Sequence, residues 1–294
     1  GEAGRALGVA VISSTVGGVF SVIVLCFAAP LLARVAYEFR SPEYFALTVF
    51  GLSMLASISA GGAVKNLIGG IFGVWLSTIG AERVTGIERF MFGNYDLYEG
   101  LHFVPIFIGL FAISELLVQS KTVNKIVNTV SMKAVKLPTK EDYKKIWKTI
   151  LRSCGIGTFI GVLPAEGATV ASMIGYSEAR RWSKNKEEFG KGSIEGIAGA
   201  EAANNSATGG AMVPTMVLGI PGSGTTAIIL VGLMVHGLRP GVYLFTEQVE
   251  KVYQIFGSMF FANIMFMLMG LYAAKIFARV SLVPTAILLS LIHI

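Results

Sequence analysis

Residues 201–226 read EAANNSATGGAMVPTMVLGIPGSGTT, an apolar run whose polar residues fall into two groups. Asn204, Asn205 and Ser206 form the first group, and the six residues PGSGTT, which start at Pro221, form the second. A helix in hydrocarbon satisfies its backbone groups internally, so a Pro-Gly-Ser-Gly break is tolerated there only where protein buries it or where it lines a wet cavity. The sequence therefore predicts a broken transmembrane helix with a binding site at the break.

The second polar group starts a new helix. Thr225 and Thr226 begin another apolar run, and the first turn of that helix would present free N–H groups and a partial positive charge to the gap. Such a helix end suits an anion. The simpler explanation is that Gly and Pro only kink a packed transmembrane helix. The predicted substrate ligands at this end are Ser223, Gly224, Thr225 and Thr226.

The composition is typical of an integral membrane protein. Of the 294 residues 53% are hydrophobic and 14% are charged, against roughly one-quarter charged in a soluble domain, and the mean hydropathy is +0.67. The net charge of +6 lies in loops between apolar runs, where membrane topology explains it, so no nucleic-acid partner is predicted. Because the chain starts at Gly1 and ends soon after a new apolar run begins, we expect a longer protein, with Leu291–Ile294 as a truncation scar.

Four apolar runs precede a lysine-rich segment. The first covers residues 7–29, with Pro30 marking its exit, and the others cover 44–59, 64–79 and 101–118. Each approaches the ~20 residues that a helix needs to cross a bilayer. The sequence therefore predicts four transmembrane helices in this part of the chain.

A re-entrant hairpin is predicted between two basic loops. Residues 120–149 and 177–200 are rich in lysine and arginine, which the positive-inside rule assigns to the cytoplasm. Only the interrupted apolar stretch 150–176 lies between them. A single crossing would put the loops on opposite sides, whereas two arms of about ten residues enter halfway and return. A kinked single span is the alternative.

The predicted fold class is an all-α polytopic membrane protein, a transmembrane helix bundle with a re-entrant hairpin and a broken helix. Its predicted segments are four transmembrane helices with an acidic outer loop (1–119), a basic cytoplasmic loop (120–149), the re-entrant hairpin (150–176), a second cytoplasmic loop (177–200), the broken helix with the site (201–237), and an outer loop, one transmembrane helix and a truncated helix (238–294).

The two breaks share a pattern. LPAEGAT from Leu163 and IPGSGTT from Ile220 both follow the order apolar, Pro, small or polar, Gly, small, Thr. Paired interruptions of this kind indicate the site of a secondary transporter. Gly167 and Thr169 would start the returning arm as a second substrate-binding helix end. Glu166, at the tip, would bind a cation or carry a proton, or alternatively pair with a lysine of a neighbouring helix.

Oxygen atoms near the breaks indicate an ion site. The side chains of Asn204 and Asn205, with backbone carbonyls freed around Pro221, would supply the all-oxygen shell that hard cations take. Ser206 and Glu166 complete the predicted ion-binding set, with Na⁺ or H⁺ as coupling ion and no cofactor. The alternative is that the asparagines only make hydrogen bonds between helices.

Enzymatic motifs are weak in this chain. GSGTT lacks the lysine of a phosphate-binding loop. Ser223 with His236 would be a minimal pair for an intramembrane serine hydrolase, but thirteen residues on one Gly-rich segment do not define a catalytic site. The three histidines are widely scattered, so neither an enzyme nor a metal centre is predicted.

Several stretches together resemble a known family. These are EAANN and IPGS within 201–223, GIGTFIGVLPAEGAT (155–169), TGIERFMFGNYDLYEG (85–100) and IGLFAISELL (108–117). The chain resembles the TctA family, the large membrane subunit of tripartite tricarboxylate transporters. It departs from the family's usual Pro-Gly-x-Gly at residues 164–167, where alanine and glutamate stand in the middle.

The resemblance implies a multi-pass subunit of the bacterial inner membrane. It implies a small membrane subunit and a periplasmic solute-binding protein as partners, a carboxylate as substrate and a cation gradient as driving force. It also implies an internally duplicated fold, so that this chain would hold half of an inverted-repeat transporter. The resulting hypothesis is a carrier that imports citrate-like carboxylates by cation symport; a channel-like pore and an intramembrane serine hydrolase are the rivals.

Overall fold

The structure, a computed structural model, describes residues 2–58, 63–82, 86–102, 105–106, 108–114, 117, 135–163 and 167–273. Regular structure in these ranges is helical apart from one pair of two-residue strands, so the predicted all-α class is confirmed. The longer helices are α1 Ala3–Tyr37, α2 Ser41–Ile58, α3 Ala63–Ser77, α4 Lys140–Val162, α5 Gly167–Trp182, α6 Ile194–Leu218, α7 Gly224–Val235 and α8 Val249–Leu268.

Shorter elements connect these helices. The antiparallel strands β1 (Gly80–Ala81) and β2 (Glu88–Arg89) follow α3. The others are the 3₁₀ turns Tyr95–Leu97 and Lys186–Glu188, the π-helical turns Ile108–Ile113 and Met269–Ala273, and the single α-helical turn Leu244–Glu247. The chain divides into two units, residues 1–44 with 129–282 and residues 45–128 with 283–294, and the first unit contains both predicted polar groups.

Two described helices are long and apolar enough to cross a membrane, Ala3–Tyr37 and Val249–Ala273. By contrast, α3 has 15 residues and α7 has 12, less than the ~20 that a span needs. The two long apolar helices support a membrane protein. The predicted four spans before residue 119 and the re-entrant depth of the hairpin stay predictions.

The first helix extends past the end of the apolar run 7–29. α1 continues through Pro30 to Tyr37, although proline removes one backbone hydrogen bond from a helix interior. Ala29 and Ala33 are buried in the core on either side of it, in one cluster with Met212 of α6. Packing of this apolar face offsets the lost bond, so the helix runs about two turns further.

Helix α4, the first arm of the predicted hairpin 150–176, starts earlier than residue 150. α4 begins at Lys140, inside the segment predicted as a loop, because Thr139 and Asp142 form a capping box. The Asp142 N–H donates to Thr139 Oγ1 at 3.2 Å, and the Thr139 N–H donates to Asp142 Oδ2 at 2.9 Å. The box satisfies two N–H groups at the helix start and so fixes where α4 begins.

Helix α6 is the centre of the first unit, and α1, α4 and α5 pack against it without intervening side chains. A Cβ at Gly17 of α1 or Gly157 of α4 would overlap the backbone carbonyl of Ala202 or Ala203. At Gly175 of α5, it would lie 2.5 Å from the Gly199 carbonyl oxygen. Such approach of backbones is typical of small residues at helix interfaces in membranes.

An ion pair joins the start of α1 to the start of α4, ahead of the apolar stretch that begins at Leu7. Arg5 Nη2 lies 2.5 Å from Asp142 Oδ1, and Arg5 Nε donates to Asp142 Oδ2 at 3.2 Å. The Arg5 hydrogen bonds are the main cause that lowers the pKa of Asp142 to about 2. The same bonds raise the pKa of Arg5 above its usual value.

Two glycines of α4 give a matched test of the packing. Gly157→Ala should lower the melting temperature, because overpacking costs about 1–3 kcal/mol and the new methyl group would meet the Ala203 carbonyl. Gly155→Ala meets nothing within 4 Å and should be neutral or stabilising by roughly 0.4–1 kcal/mol. Thermal unfolding of both purified variants measures this; equal melting temperatures would contradict it.

The ion pair predicts a pH dependence of stability. The lowered pKa of Asp142 means that the pair stabilises the fold above the usual aspartate pKa of about 4, and that this is lost as pH falls towards 2. Arg5→Gln should melt below the wild-type protein at pH 7, with the gap closing between pH 4 and 2. Arg34→Gln, in the exposed last turn of α1, is the control and should show no such change.

Candidate functional site

The chain leaves helical geometry between α6 and α7. α6 ends at Leu218, and Gly219 takes a left-handed conformation (φ 69°) in which its N–H bonds the Pro214 carbonyl. That conformation favours glycine, which has no Cβ to clash. α7 then starts at Gly224. Residues 219–223 are therefore non-helical, at the position of the second polar group.

After this break the chain turns back along α6. The Gly222 N–H donates to Thr215 Oγ1 at 3.3 Å, and a Cβ at Gly222 would lie only 2.8 Å from the Ala211 Cβ. Glycine is required here because the two backbones touch. The start of α7 consequently lies beside the Ala211 turn, inside the length of α6 rather than beyond its end.

The first turn of α7 is closed by a capping box. The Thr226 N–H donates to Ser223 Oγ at 3.2 Å, and the Ser223 N–H donates to Thr226 Oγ1 at 2.8 Å. Thr226 is 1% exposed, so its side chain supports the helix end from inside. Ser223 is half-buried, and its hydroxyl oxygen already accepts the Thr226 N–H bond.

Two N–H groups stay open at the same helix end. Gly224 and Thr225 are both exposed, and within the described part of the chain no hydrogen-bond acceptor is recorded for either N–H. Unpaired N–H groups at a helix start carry a partial positive charge. Of the four substrate ligands predicted at this helix end, these two therefore have the geometry to bind an anion directly.

The start of α5 lies beside α6 as well. Asn204 Nδ2 lies 3.5 Å from the Ala168 carbonyl oxygen, while Gly167 is buried and Thr169 is exposed. Asn204 precedes Ala211 by seven residues, so the starts of α5 and α7 meet α6 about 10 Å apart along its axis. Glu166, the predicted hairpin tip, lies outside the described residues.

The first polar group is divided between faces of α6. Asn204 points towards α5, whereas Asn205 Nδ2 donates to the Glu201 carbonyl at 3.2 Å on the same helix. Ser206 is fully buried, with its hydroxyl 3.2 Å from the Ala203 carbonyl oxygen and 3.4 Å from that of Ser153 on α4. The Ser206 side chain thus serves helix packing, and the side chains of Asn204, Asn205 and Ser206 do not converge on one point.

A polar stripe marks the open face of α6. Along the middle of α6, the residues that are not buried recur every three or four positions, and four of these residues are polar. Glu201 accepts a hydrogen bond of 2.7 Å from Ser14 of α1. Sequence analysis did not assign Glu201 or Thr208 to the site, although their i, i+7 spacing around the asparagines was readable. The stripe consists of Glu201, Asn204, Asn205 and Thr208.

Ser223 and His236 lie at opposite ends of α7. Ser223 precedes the first residue of the helix and His236 follows the last, so the thirteen positions that separate them hold them about 20 Å apart. The His236 ring nitrogen Nδ1 lies 2.8 Å from the Gly232 carbonyl oxygen instead. Among the described residues there is no group of three His, Cys, Asp or Glu side chains that could hold a metal ion.

The fold and site define a class of protein, a helical membrane protein with two helix starts gathered on a polar face, as in secondary transporters. A family model described as the tripartite tricarboxylate transporter TctA family matches residues 1–294, and the chain belongs to this family. The predicted resemblance is thus confirmed over the whole chain.

Two relatives come from Agrobacterium vitis. One, an uncharacterized 52.8 kDa protein in the TAR-I ttuC′ 3′ region, is 36% identical over 286 residues, which cover 97% of this chain and 57% of the relative. Another, an uncharacterized protein from the TAR-II ttuC′ 3′ region, is 35% identical over 128 residues, which cover 44% of this chain and 53% of that relative. The chain thus spans about half the length of the first relative. No solved structure matches it.

The capping box predicts which side chains hold the helix start. Ser223→Ala and Thr226→Val should each weaken the first turn of α7 by roughly 1 kcal/mol, because an N-cap contributes about that much. Amide hydrogen exchange across residues 223–230 should then be about fivefold faster. Thr225→Val, on an exposed side chain, is the control; faster exchange in that variant as well would contradict the assignment.

Proposed function

We propose that this chain is part of a secondary active transporter subunit that imports small carboxylates of the citrate type by cation symport. It would work with a small membrane subunit and a periplasmic solute-binding protein in the bacterial inner membrane. Membership of the TctA family supports this function. Because the chain spans about half of its first relative, the proposal applies to the full-length protein.

The start of α7 is the observation that carries the proposal. Its two exposed N–H groups, at Gly224 and Thr225, are held in place by a capping box that consumes the neighbouring side chains. A carboxylate can accept both bonds without disturbing the cap. Anion binding of this kind at a helix start is a recurring solution in transporters with broken helices.

The start of α5 would contribute a second positive end. Thr169 is exposed at that end, and Asn204 links it to α6. A di- or tricarboxylate has charged groups several ångströms apart, which suits two helix ends that meet α6 about 10 Å apart. Gly167, being buried, would act through its backbone position rather than by contact with the substrate.

Uptake by the full-length protein with its partner subunits tests the function. Labelled mono-, di- and tricarboxylates are offered with and without Na⁺ and with and without a pH gradient. The proposal expects saturable uptake that depends on the binding protein and on one of the two cation gradients. Conductance without saturation would favour a channel instead, and uptake indifferent to both gradients would remove symport.

A proline at Gly224 tests the helix end itself. Position 224 is the first residue of α7, and Ser223 before it is extended (φ −162°, ψ 168°), so proline is tolerated there and removes only the N–H. Loss of a hydrogen bond to a charged group, worth about 1.5–3 kcal/mol, should weaken substrate affinity roughly 10- to 100-fold. Gly224→Ala keeps the N–H and should bind normally; equal affinities would exclude this donor.

A further inference from the structure

A carboxylate on α6 lies one turn before Asn204 and bonds to α1. Glu201 is half-buried, and its Oε2 atom accepts a 2.7 Å hydrogen bond from the buried Ser14 hydroxyl of α1. Glu201 follows Ile194, the first residue of α6, by seven residues, or about 10 Å along the helix. Its carboxylate therefore lies inside the bundle, where an ionisable side chain marks a functional site by default.

Among the described residues, no lysine or arginine forms an ion pair with this carboxylate. Within the described ranges, the ion pairs with nitrogen and oxygen no more than 4.0 Å apart do not include Glu201. Arg5, on the same helix as Ser14, is held by Asp142. Arg152 of α4 instead stacks on the Trp182 ring, 5.0 Å from its centroid. Cys154 of α4, another titratable side chain beside α6, is buried in an apolar cluster with Ala198 and Ala202.

Two further oxygen-bearing side chains are next to this contact along the helices. Ser13, next to Ser14, is fully buried, and among the described residues its hydroxyl has no hydrogen-bond partner. Such a group is uncommon because leaving it unpaired costs free energy. Asn205, one turn after Glu201, uses its amide nitrogen on the Glu201 carbonyl, which leaves its amide oxygen for another partner.

We propose that Glu201 is the site of the coupling cation, a monovalent Na⁺ or H⁺, with Ser14 as its second ligand. This inference rests on the proposed symport and places the ion between α1 and α6, at a carboxylate that was not in the predicted ion-binding set. Carboxylate, hydroxyl and amide oxygens are the ligands that hard cations prefer. For a proton, the Ser14 hydroxyl can reverse its role and accept a bond from the neutral acid.

Glu195 provides a matched control on the same helix. Its Oε2 atom also accepts a serine hydrogen bond, from Ser183 at 2.5 Å. Glu195 is, however, in the first turn of α6, where the free N–H groups of the helix start stabilise a negative charge without any bound cation. Glu195 and Glu201 thus both accept a serine hydrogen bond, but Glu195 lies in the first turn of its own helix, where its charge needs no bound cation.

Cation binding is measured on the purified full-length protein without any carboxylate. One arm replaces choline chloride by NaCl at constant ionic strength, and the other lowers the pH from 8 to 6 without Na⁺. Binding to the folded state should raise the melting temperature by about 2–5 °C in one arm, which identifies the ion. Glu201→Gln should abolish this rise, and Glu195→Gln should keep it.

A milder variant covers the case in which Glu201→Gln does not fold. Ser14→Ala retains the carboxylate and should shift the half-saturating cation concentration several-fold. Any one of three results would overturn the proposal. The melting temperature could rise in Glu201→Gln as much as in the wild-type protein, or the titration could be unshifted in Ser14→Ala. The third is no rise in the wild-type protein in either arm. Failure of the carrier function shows separately, as an absence of saturable uptake in a protein that still binds the cation.

Discussion

The backbone of α6 touches the backbones of its neighbours, and the rest of the unit depends on this contact. Where Gly17, Gly157 and Gly175 meet α6, there is no room for a single methyl group. Water does not drive helices together in a membrane, so close packing and hydrogen bonds must do so. A helix enclosed in this way on three sides can expose polar side chains only on its fourth.

The position of the helix starts follows from the same packing. α5 can approach α6 because Gly175 and Gly199 lack side chains. The segment that returns towards α6 before α7 can approach it because Gly222 also lacks a side chain. Each approach brings a helix start, with its partial positive charge, towards the middle of α6. The polar stripe from Glu201 to Thr208 and these two starts therefore share one region of the unit.

Local signals in the sequence sufficed for the helix breaks but not for the partners across them. Gly219, Pro221 and the serine that caps α7 act within a few residues, so the break at 219–223 was readable, whereas the extent of α1 beyond Pro30 depended on packing against α6. The bond between Ser14 and Glu201 joins residues 187 positions apart. No periodicity along one segment can reveal such a contact, and the same limit hid the separation of Asn204 from Asn205.

The spacing of the two proposed sites decides how they can be coupled. Glu201 precedes Ala211, which lies beside the start of α7, by ten residues, or about 15 Å along α6. At that distance a cation and an anion attract each other by only about 0.3–1 kcal/mol, depending on the local dielectric. This is less than a tenfold effect on affinity, too little for a tightly coupled carrier. Coupling of the cation to an anion at the start of α7 therefore passes through the packing of α1 against α6, which Ser14 and Glu201 join directly. An anion at the start of α5, which meets α6 one turn after Glu201, can attract the cation directly.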